Sequence, residues 1–178
     1  IDPELGMVYF AVGNPFGDST ERDGMNLFTD SIIALTLDEG RLDWHYQQVH
    51  HDVWDMDLPA APALITVKHN GKKIDAVAQT TKTGFVFLFD RETGKPLFPV
   101  DEVPVVDQSP LKNEKLWPTQ PMPRLPKAIV RQAFNHADLN RLVSDSSFRT
   151  IEKRFLGYRS GKMFNPPSTE GTIILPGY

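Results

Sequence analysis

The segment Val49–Pro59 carries the side chains of this chain that are best suited to chemistry. They are His50, His51, Asp52, Asp55 and Asp57, with Trp54 among them. Aspartate favours neither strand nor helix, and burying several such groups costs free energy unless they are paired or bind a ligand. Imidazoles and carboxylates exchange protons and bind metal ions. The segment therefore predicts a site of proton transfer or metal binding.

Composition excludes several other functions. The 178 residues include 19 basic and 23 acidic side chains, with a formal net charge of −4. Because nucleic-acid binding needs a basic face, this balance argues against nucleic acid as a main partner. The absence of cysteine excludes disulfides, thiolate catalysis and cysteine-based zinc sites. The apolar stretches are too short to predict a transmembrane helix.

Residues 1–100 predict short β-strands separated by turns. The predicted strands are Met7–Val12, Ser31–Leu37, Leu42–Gln47, Ala63–Val67, Ile74–Gln79 and Phe85–Asp90. The Leu42–Gln47 segment alternates apolar and polar residues, as a half-buried strand does. Asn70-Gly71 is a strong signal for a hairpin turn.

Two segments of this half share a pattern. Ala34–Trp44 and Leu88–Phe98 each contain a strand, an aspartate, a turn with glycine and then an aromatic residue. Their turn glycines, Gly40 and Gly94, lie 54 residues apart. A repeat of about 40–50 residues built from short strands is typical of β-propellers.

The second half changes character. Six prolines in residues 101–135 predict a Pro-rich extended arm without regular structure. Residues 136–160 predict a helical insertion, and residues 161–178 predict the start of a next blade strand, over Thr172–Leu175. The two predicted helices cover Asp138–Val143 and Phe148–Phe155, with Asn135 as the cap of the first and Ser144 or Ser146 as the cap of the second. The sequences at both ends of the chain indicate that it is a piece of a longer protein.

The acidic segment also resembles a known family. Residues 44–47 and 50–59 resemble the PQQ-dependent alcohol and sugar dehydrogenases, most of all the glucose dehydrogenase branch of these quinoproteins. Further pieces match in the same order, namely Gly13–Pro15, Lys82–Gly84, Phe89–Arg91, Trp117–Pro121 and Pro166–Thr172. The resemblance implies a mainly β fold, part of an eight-bladed β-propeller that holds the quinone on its axis over a divalent metal ion. This chain would supply about two blades.

The resemblance implies roles for three residues. Asp55 matches the catalytic carboxylate that accepts the proton of the substrate hydroxyl as hydride passes to the quinone, and it also matches a metal ligand. Lys82, 27 residues later, matches the basic residue beside the quinone oxygens. Asn14, 41 residues before Asp55, resembles an amide-oxygen ligand of Ca²⁺ or Mg²⁺. Such oxygen ligands suit hard divalent cations.

The family also implies the setting of the reaction. The substrate would be an aldose such as glucose or another alcohol, the electron acceptor ubiquinone or a cytochrome, and the location the periplasm or a membrane face towards it. Two alternatives stay open, a non-catalytic propeller fragment that acts as a binding or assembly module and a small stand-alone β domain that binds a sugar. Open strand edges of an excised pair of blades predict self-association.

The same residues have structural interpretations. Asp55, Lys82 and Asn14 could be ordinary turn residues. His50 and His51 are expected to form structural hydrogen bonds, and Asp52 and Asp57 to accept supporting ones. Trp44 and Trp54 are expected to pack within the blades.

Overall fold

The structure is a computed structural model that describes residues 1–177. It is mainly β, as predicted, with a single α-helix in the described residues. The strands are β1 (Met7–Ala11), β2 (Ser31–Thr36), β3 (Leu42–Gln47), β4 (Ala63–His69), β5 (Lys72–Thr80), β6 (Val86–Asp90), β7 (Val100–Pro104), β8 (Thr119–Pro123), β9 (Ala133–Phe134) and β10 (Gly161–Lys162). Helix α1 is Asp145–Leu156, and short 3-10 turns cover Ser19–Glu21 and His136–Asp138. Within residues 1–177, no helix combines the length and the apolar surface that crossing a membrane requires.

Two three-stranded antiparallel sheets form the first half, in the orders β1-β2-β3 and β4-β5-β6. Their six strands coincide with the six predicted ones to within about two residues at each end. The β4–β5 hairpin turns at Asn70 and Gly71, whose φ angles of 50° and 79° are both positive. This is the two-residue turn that Asn-Gly predicts.

The main hydrophobic core contains side chains from both sheets. Strand residues two apart share a face, so the inward side chains of each strand meet those of the other sheet. The buried members are Met7, Tyr9, Ile32, Ala34, Trp44, Val77, Phe87 and Phe89. This packing fixes the position of the β5–β6 turn relative to the loop that follows β3.

The two matching segments have the same backbone hydrogen bonds. Thr36 accepts from the Gly40 N–H at 2.9 Å, and Asp90 accepts from the Gly94 N–H at 2.9 Å. The amides of Thr36 and Asp90 in turn each donate to the carbonyl of the residue five positions later, both at 2.9 Å. The repeat seen in the sequence is therefore also a repeat of local structure.

Trp44 ties the first sheet to the turn of the second. Its indole N–H donates to the carbonyl of Arg91 at 3.2 Å, and the Tyr9 hydroxyl donates to the same oxygen at 2.8 Å. A Cβ atom on Gly94 would lie 2.5 Å from Cδ2 of the Trp44 ring. Only glycine lets the turn approach the ring this closely.

The predicted Pro-rich arm contains a β-hairpin. Strands β7 and β8 pair antiparallel, and Pro104, Pro121 and Pro123 lie within them, so the prediction that the prolines break regular structure is wrong there. These prolines alternate with the residue pairs that exchange ladder hydrogen bonds, so a proline at these positions removes no N–H that the hairpin needs.

The first predicted helix does not form. Only the 3-10 turn His136–Asp138 lies in that region, after Asn135. Short polar side chains capture the backbone instead, because Asp138 accepts from the Asn135 N–H at 2.7 Å and Asn140 accepts from the Leu142 N–H at 2.8 Å.

The second predicted helix is confirmed, and it starts after Ser144. The Ser144 hydroxyl accepts from the Ser147 N–H at 3.3 Å, so Ser144 rather than Ser146 is the cap. The predicted strand Thr172–Leu175 is wrong, because Thr172 makes only an isolated bridge, to Arg159. Of the predicted blade start at 161–178, Tyr178 lies outside the described residues.

Replacing Gly94 by alanine should destabilise the protein more than the same change at Gly40. Both glycines have a positive φ, 68° and 63°, which costs an alanine about 1–2 kcal/mol. Only at Gly94 would the new methyl group also meet a ring, which adds about 1–3 kcal/mol. Chemical denaturation of the two variants measures the difference, and equal losses would contradict the packing of Trp44 on this turn.

Candidate active site

Side chains after β3 alternate between the interior and an open side. Trp54, Met56 and Leu58 are buried, whereas Asp55 and Asp57 are partly exposed. Trp54 packs edge-on against Phe164 with ring centroids 5.1 Å apart. The apolar residues therefore anchor the segment, and the two carboxylates face the same open side.

Asp52 shapes the turn that presents Asp55. It is 2% exposed, and its two carboxylate oxygens accept from the backbone amides of Trp54 at 2.7 Å and Met56 at 2.6 Å. Asp55 itself has a φ of 64°, a left-handed conformation that aspartate adopts more readily than most other non-glycine residues. The prediction that Asp52 is a supporting hydrogen-bond acceptor is confirmed.

Lys82 bridges the two partly exposed carboxylates. Its ammonium lies 3.0 Å from Oδ2 of Asp55 and 2.6 Å from Oδ1 of Asp57. The backbone N–H of Lys82 also donates to the carbonyl of Asp57 at 3.2 Å. Two residues that are 27 positions apart in sequence thus meet in one ion-pair cluster, which is the pair of site residues that the sequence singled out.

The β5–β6 turn holds Lys82 in place. Thr81 and Thr83 are buried and share a hydrogen bond between their hydroxyl groups. Gly84 has a φ of 77°, and a Cβ atom there would overlap with Cγ2 of Val130. Val130 and the two buried threonines thus hold the turn in place, while the Lys82 side chain extends towards the carboxylates.

Electrostatics keeps the Lys82 ammonium charged. Burial acts to lower the pKa of Lys82, but the hydrogen bonds and negative charges of Asp57 and Asp55 together outweigh it and raise the pKa above its ordinary value. Lys82 also lines an open pocket of about 370 Å³, together with Gly84, Val130 and Arg131.

Asn14 lies in an exposed loop beside this cluster. Its neighbour Gly13 accepts a hydrogen bond from the Asp30 N–H at 3.0 Å, and a Cβ atom on Gly13 would lie 3.7 Å from Oδ2 of Asp57. The fold therefore brings the Gly13–Asn14 loop next to the acidic segment. Within residues 1–177 no three histidine, cysteine, aspartate or glutamate side chains are grouped so that they could hold a metal ion.

The two histidines contact different parts of the chain. The His50 ring bonds to Gln47 at 2.7 Å and to Glu102 at 3.1 Å. The His51 ring bonds to the carbonyl of Gly24 at 2.6 Å. Both histidines are buried, and their hydrogen bonds are the structural ones expected for them.

The Trp117–Pro121 motif supports His50 from the β7–β8 hairpin. The side chain of Gln120 accepts from the backbone N–H of His50 and donates to its carbonyl, both at 2.8 Å. An amide side chain thus replaces a neighbouring strand at this point.

Sequence reasoning missed Asp30. This residue is completely buried directly before β2, and burial, with the nearby charge of Asp52 adding to it, raises the pKa of its carboxyl to about 8. An acidic residue directly before the apolar run Ser31–Thr36 is the only sign of it in the sequence, and that sign is equally typical of a turn.

Comparison with known proteins identifies the family. The PQQ family profile, described as "Glucose/ethanol/alcohol dehydrogenase, beta-propeller domain", matches residues 1–178. The chain belongs to this family.

Among curated relatives of this PQQ dehydrogenase domain, the quinoprotein glucose dehydrogenase of Gluconobacter oxydans is 38% identical, and the match covers 99% of this chain and 22% of the relative. The quinoprotein glucose dehydrogenase of Escherichia coli is 35% identical, with the same two coverages of 99% and 22%. The chain thus spans about a fifth of the length of these relatives.

Solved structures of the family have similar folds. A europium-containing methanol dehydrogenase is 27% identical, with a TM-score of 0.54 over 67% of this chain and 21% of that one. The quinohemoprotein alcohol dehydrogenase from Comamonas testosteroni is 32% identical, with a TM-score of 0.53 over 69% of this chain and 18% of that one. The mainly β fold of this chain is therefore that of a PQQ propeller domain.

Replacing Asp52 by asparagine should loosen the Asp55 turn. One oxygen becomes an NH₂ group that faces an amide donor, and a buried donor left without an acceptor costs about 1–3 kcal/mol. Chemical denaturation measures this loss, and amide exchange at Trp54 and Met56 should accelerate. The exposed Asp18, which accepts from the Thr20 N–H at 2.8 Å, is the control, because water can replace that bond. Equal effects of the two substitutions would contradict the structural importance of Asp52.

Proposed function

We propose that this chain is the catalytic segment of a PQQ-dependent dehydrogenase that oxidises an aldose such as glucose or another alcohol. The observation that supports this function best is the contact of Asp55 and Lys82 at 3.0 Å on the open side of the acidic segment. Asp55 is the proposed general base, and Lys82 is the proposed contact to the cofactor. Family membership, with glucose, alcohol, glycerol and quinate dehydrogenases among the relatives, supports an alcohol-type substrate.

The residues present fit an anionic quinone and a divalent cation in part. The Lys82 side chain is 20% exposed and remains cationic, so it can meet negative charge at the quinone oxygens. Asp55 and Asn14 offer a carboxylate and an amide oxygen, which are ligands that Ca²⁺ and Mg²⁺ prefer. Since such ions take about six or more oxygen ligands, most of the shell would have to come from other parts of the protein or from water.

In the proposed mechanism, bound PQQ supplies the acceptor for the hydride of the alcohol carbon. Asp55 removes the proton of the substrate hydroxyl, which requires hydrogen-bond reach between the two oxygens. The side chain is 40% exposed, so a substrate can approach it. The Lys82 ammonium, 3.0 Å from Oδ2 of Asp55, orients this carboxylate on the open side of the segment.

Asp57 has a different proposed task. It binds the Lys82 ammonium at 2.6 Å and is less exposed than Asp55, 21% against 40%. Asp57 thereby fixes the lysine when Asp55 turns to its substrate. We further propose a periplasmic or periplasm-facing location and ubiquinone or a cytochrome as the electron acceptor, as the family resemblance implies.

Replacing Asp55 by asparagine should lower turnover about 10²–10⁴-fold, the usual effect of removing a general base. The full-length protein, supplied with PQQ and Ca²⁺ or Mg²⁺, is assayed with glucose and an artificial dye. PQQ binding, followed by tryptophan fluorescence, should persist, since the amide keeps the size of the side chain. Exposed Asp107 is the control for an Asp-to-Asn change. Full activity of D55N would remove Asp55 from the mechanism, and a parent protein that binds PQQ without turnover would favour a non-catalytic binding module.

Charge at position 82 should decide cofactor affinity. Lys82→Met should weaken PQQ binding about 10-fold to 100-fold, the value of about 1.5–3 kcal/mol for a hydrogen bond to a charged group. Lys82→Arg keeps the charge and should bind within a few-fold of the parent. Tryptophan fluorescence titration of the full-length protein with PQQ measures both. Equal affinities of the methionine variant and the parent would show that Lys82 does not contact the cofactor.

A further inference from the structure

Asp30 is a buried acid without a hydrogen-bond donor in the described part of the chain. It is 0% exposed, and neither of its carboxyl oxygens has a hydrogen-bond partner among residues 1–177. The hydroxyl of Thr29 lies nearby, but its single hydrogen is donated to the carbonyl of Asn26 at 2.7 Å. Leaving a buried ionised carboxylate unsatisfied costs several kcal/mol, so the group must gain a proton or a partner.

A second buried acid, Asp52, lies close to Asp30. The Asp52 carboxyl lies within hydrogen-bonding reach of Asp30, and two carboxylates cannot bond to each other unless one carries a hydrogen. Asp52 accepts from the amides of Trp54 and Met56, and such bonds favour its ionised form, whereas neither oxygen of Asp30 accepts a hydrogen bond within residues 1–177. The hydrogen between the two acids therefore belongs to Asp30.

The surroundings of Asp30 agree with this assignment. Burial raises the pKa of Asp30 to about 8, and the negative charges of Asp52 and Asp57 act in the same direction. Two cations of this region bind other groups. The Lys82 ammonium is paired with Asp55 and Asp57, and the Arg22 guanidinium donates to the backbone carbonyl of Asp52 at 3.1 Å.

Asp30 also connects the parts of the site through its backbone. Its N–H donates to the carbonyl of Gly13 at 3.0 Å, and its carbonyl accepts from the Gln48 N–H at 2.8 Å. The residue thus lies between the Asn14 loop and the chain that leads into the acidic segment. Its φ of 50° is one that aspartate and asparagine tolerate better than most residues.

We propose that Asp30 is a positioning residue whose protonated carboxyl donates a hydrogen bond to Asp52 and so fixes the turn that presents Asp55. The donated hydrogen adds a third hydrogen bond to Asp52, whose two oxygens already accept from the amides of Trp54 and Met56. The effect on turnover rests on the proposed role of Asp55 as the base. The hydrogen bond itself does not, and it can be tested without activity.

The decisive comparison is Asp-to-Asn at two buried positions of the full-length protein. The asparagine of D30N keeps a donor and the backbone preference, so this variant should be at least as stable as the parent. Asp2 is the matched control, because its side chain is 4% exposed and its Oδ2 accepts from the Arg91 guanidinium at 2.7 Å. D2N should lower the melting temperature clearly. A loss in D30N as large as that in D2N would show that Asp30 is ionised and would overturn the proposal.

The pH dependence of stability gives a second test. Because the folded protein binds the Asp30 proton more tightly than the unfolded chain, this residue makes stability fall as pH rises from about 4 to about 8, and no further above that. D30N cannot lose this proton, so its melting temperature should fall less over the same range. Parallel pH profiles of D30N and the parent would contradict a protonated Asp30.

Infrared spectroscopy and amide exchange separate the hydrogen bond from catalysis. The parent should show the carbonyl stretch of a protonated carboxylic acid at neutral pH, and the band should vanish in D30N.

Asp30→Gly tolerates the positive φ but removes the donor, so it should accelerate amide exchange at Trp54 and Met56 and lower kcat more than KM changes. D30N should restore both. Persistence of the infrared band in D30N, or unchanged exchange in D30G, overturns the proposal. A D30N variant that has lost the band and keeps the amide exchange of the parent, but is inactive, would count against the proposed role of Asp55 instead.

Discussion

The candidate site depends on how a buried carboxylate is satisfied. Asp52 is almost completely withdrawn from water, and the amides of Trp54 and Met56 take its two oxygens. This bonding curls the backbone around Asp52 and gives Asp55 its left-handed conformation. A carboxylate can shape a turn in this way because it has acceptor oxygens only, and buried amide donors must find acceptors.

The packing of the two sheets decides which charges meet. Asp55 follows β3 of the first sheet, and Lys82 lies in the β5–β6 turn of the second. The core shared by the two sheets and the hydrogen bond from Trp44 to the Arg91 carbonyl fix the position of these two segments relative to each other. Arg91 strengthens the same junction, since its guanidinium reaches Asp2 in the N-terminal segment and the Ile65 carbonyl in β4.

Local patterns were reliable where the hydrogen-bond partners are close in sequence. The Asn70-Gly71 turn, the Ser144 cap and the repeated turns at Gly40 and Gly94 all form as predicted, because each depends on a few neighbouring residues. The errors lie where distant partners decide. The prolines of β7 and β8 are tolerated because they lie at positions whose N–H is not needed for the hydrogen bonds between the two strands. That depends on how the strands pair across a long loop.

The sequence by itself determined the strands of residues 1–90, the repeat and the family, and it singled out Asp55 and Lys82 as candidate site residues. Periodicity, turn chemistry and a dense motif are local properties, and they survive in a single sequence. Only the tertiary structure decided that Lys82 bridges Asp55 and Asp57, that Asp52 is buried, and that the buried Asp30 lies close to it. Burial and proximity between distant residues change the charge and the hydrogen-bonding needs of a carboxyl group, and neither can be read from the residue type alone.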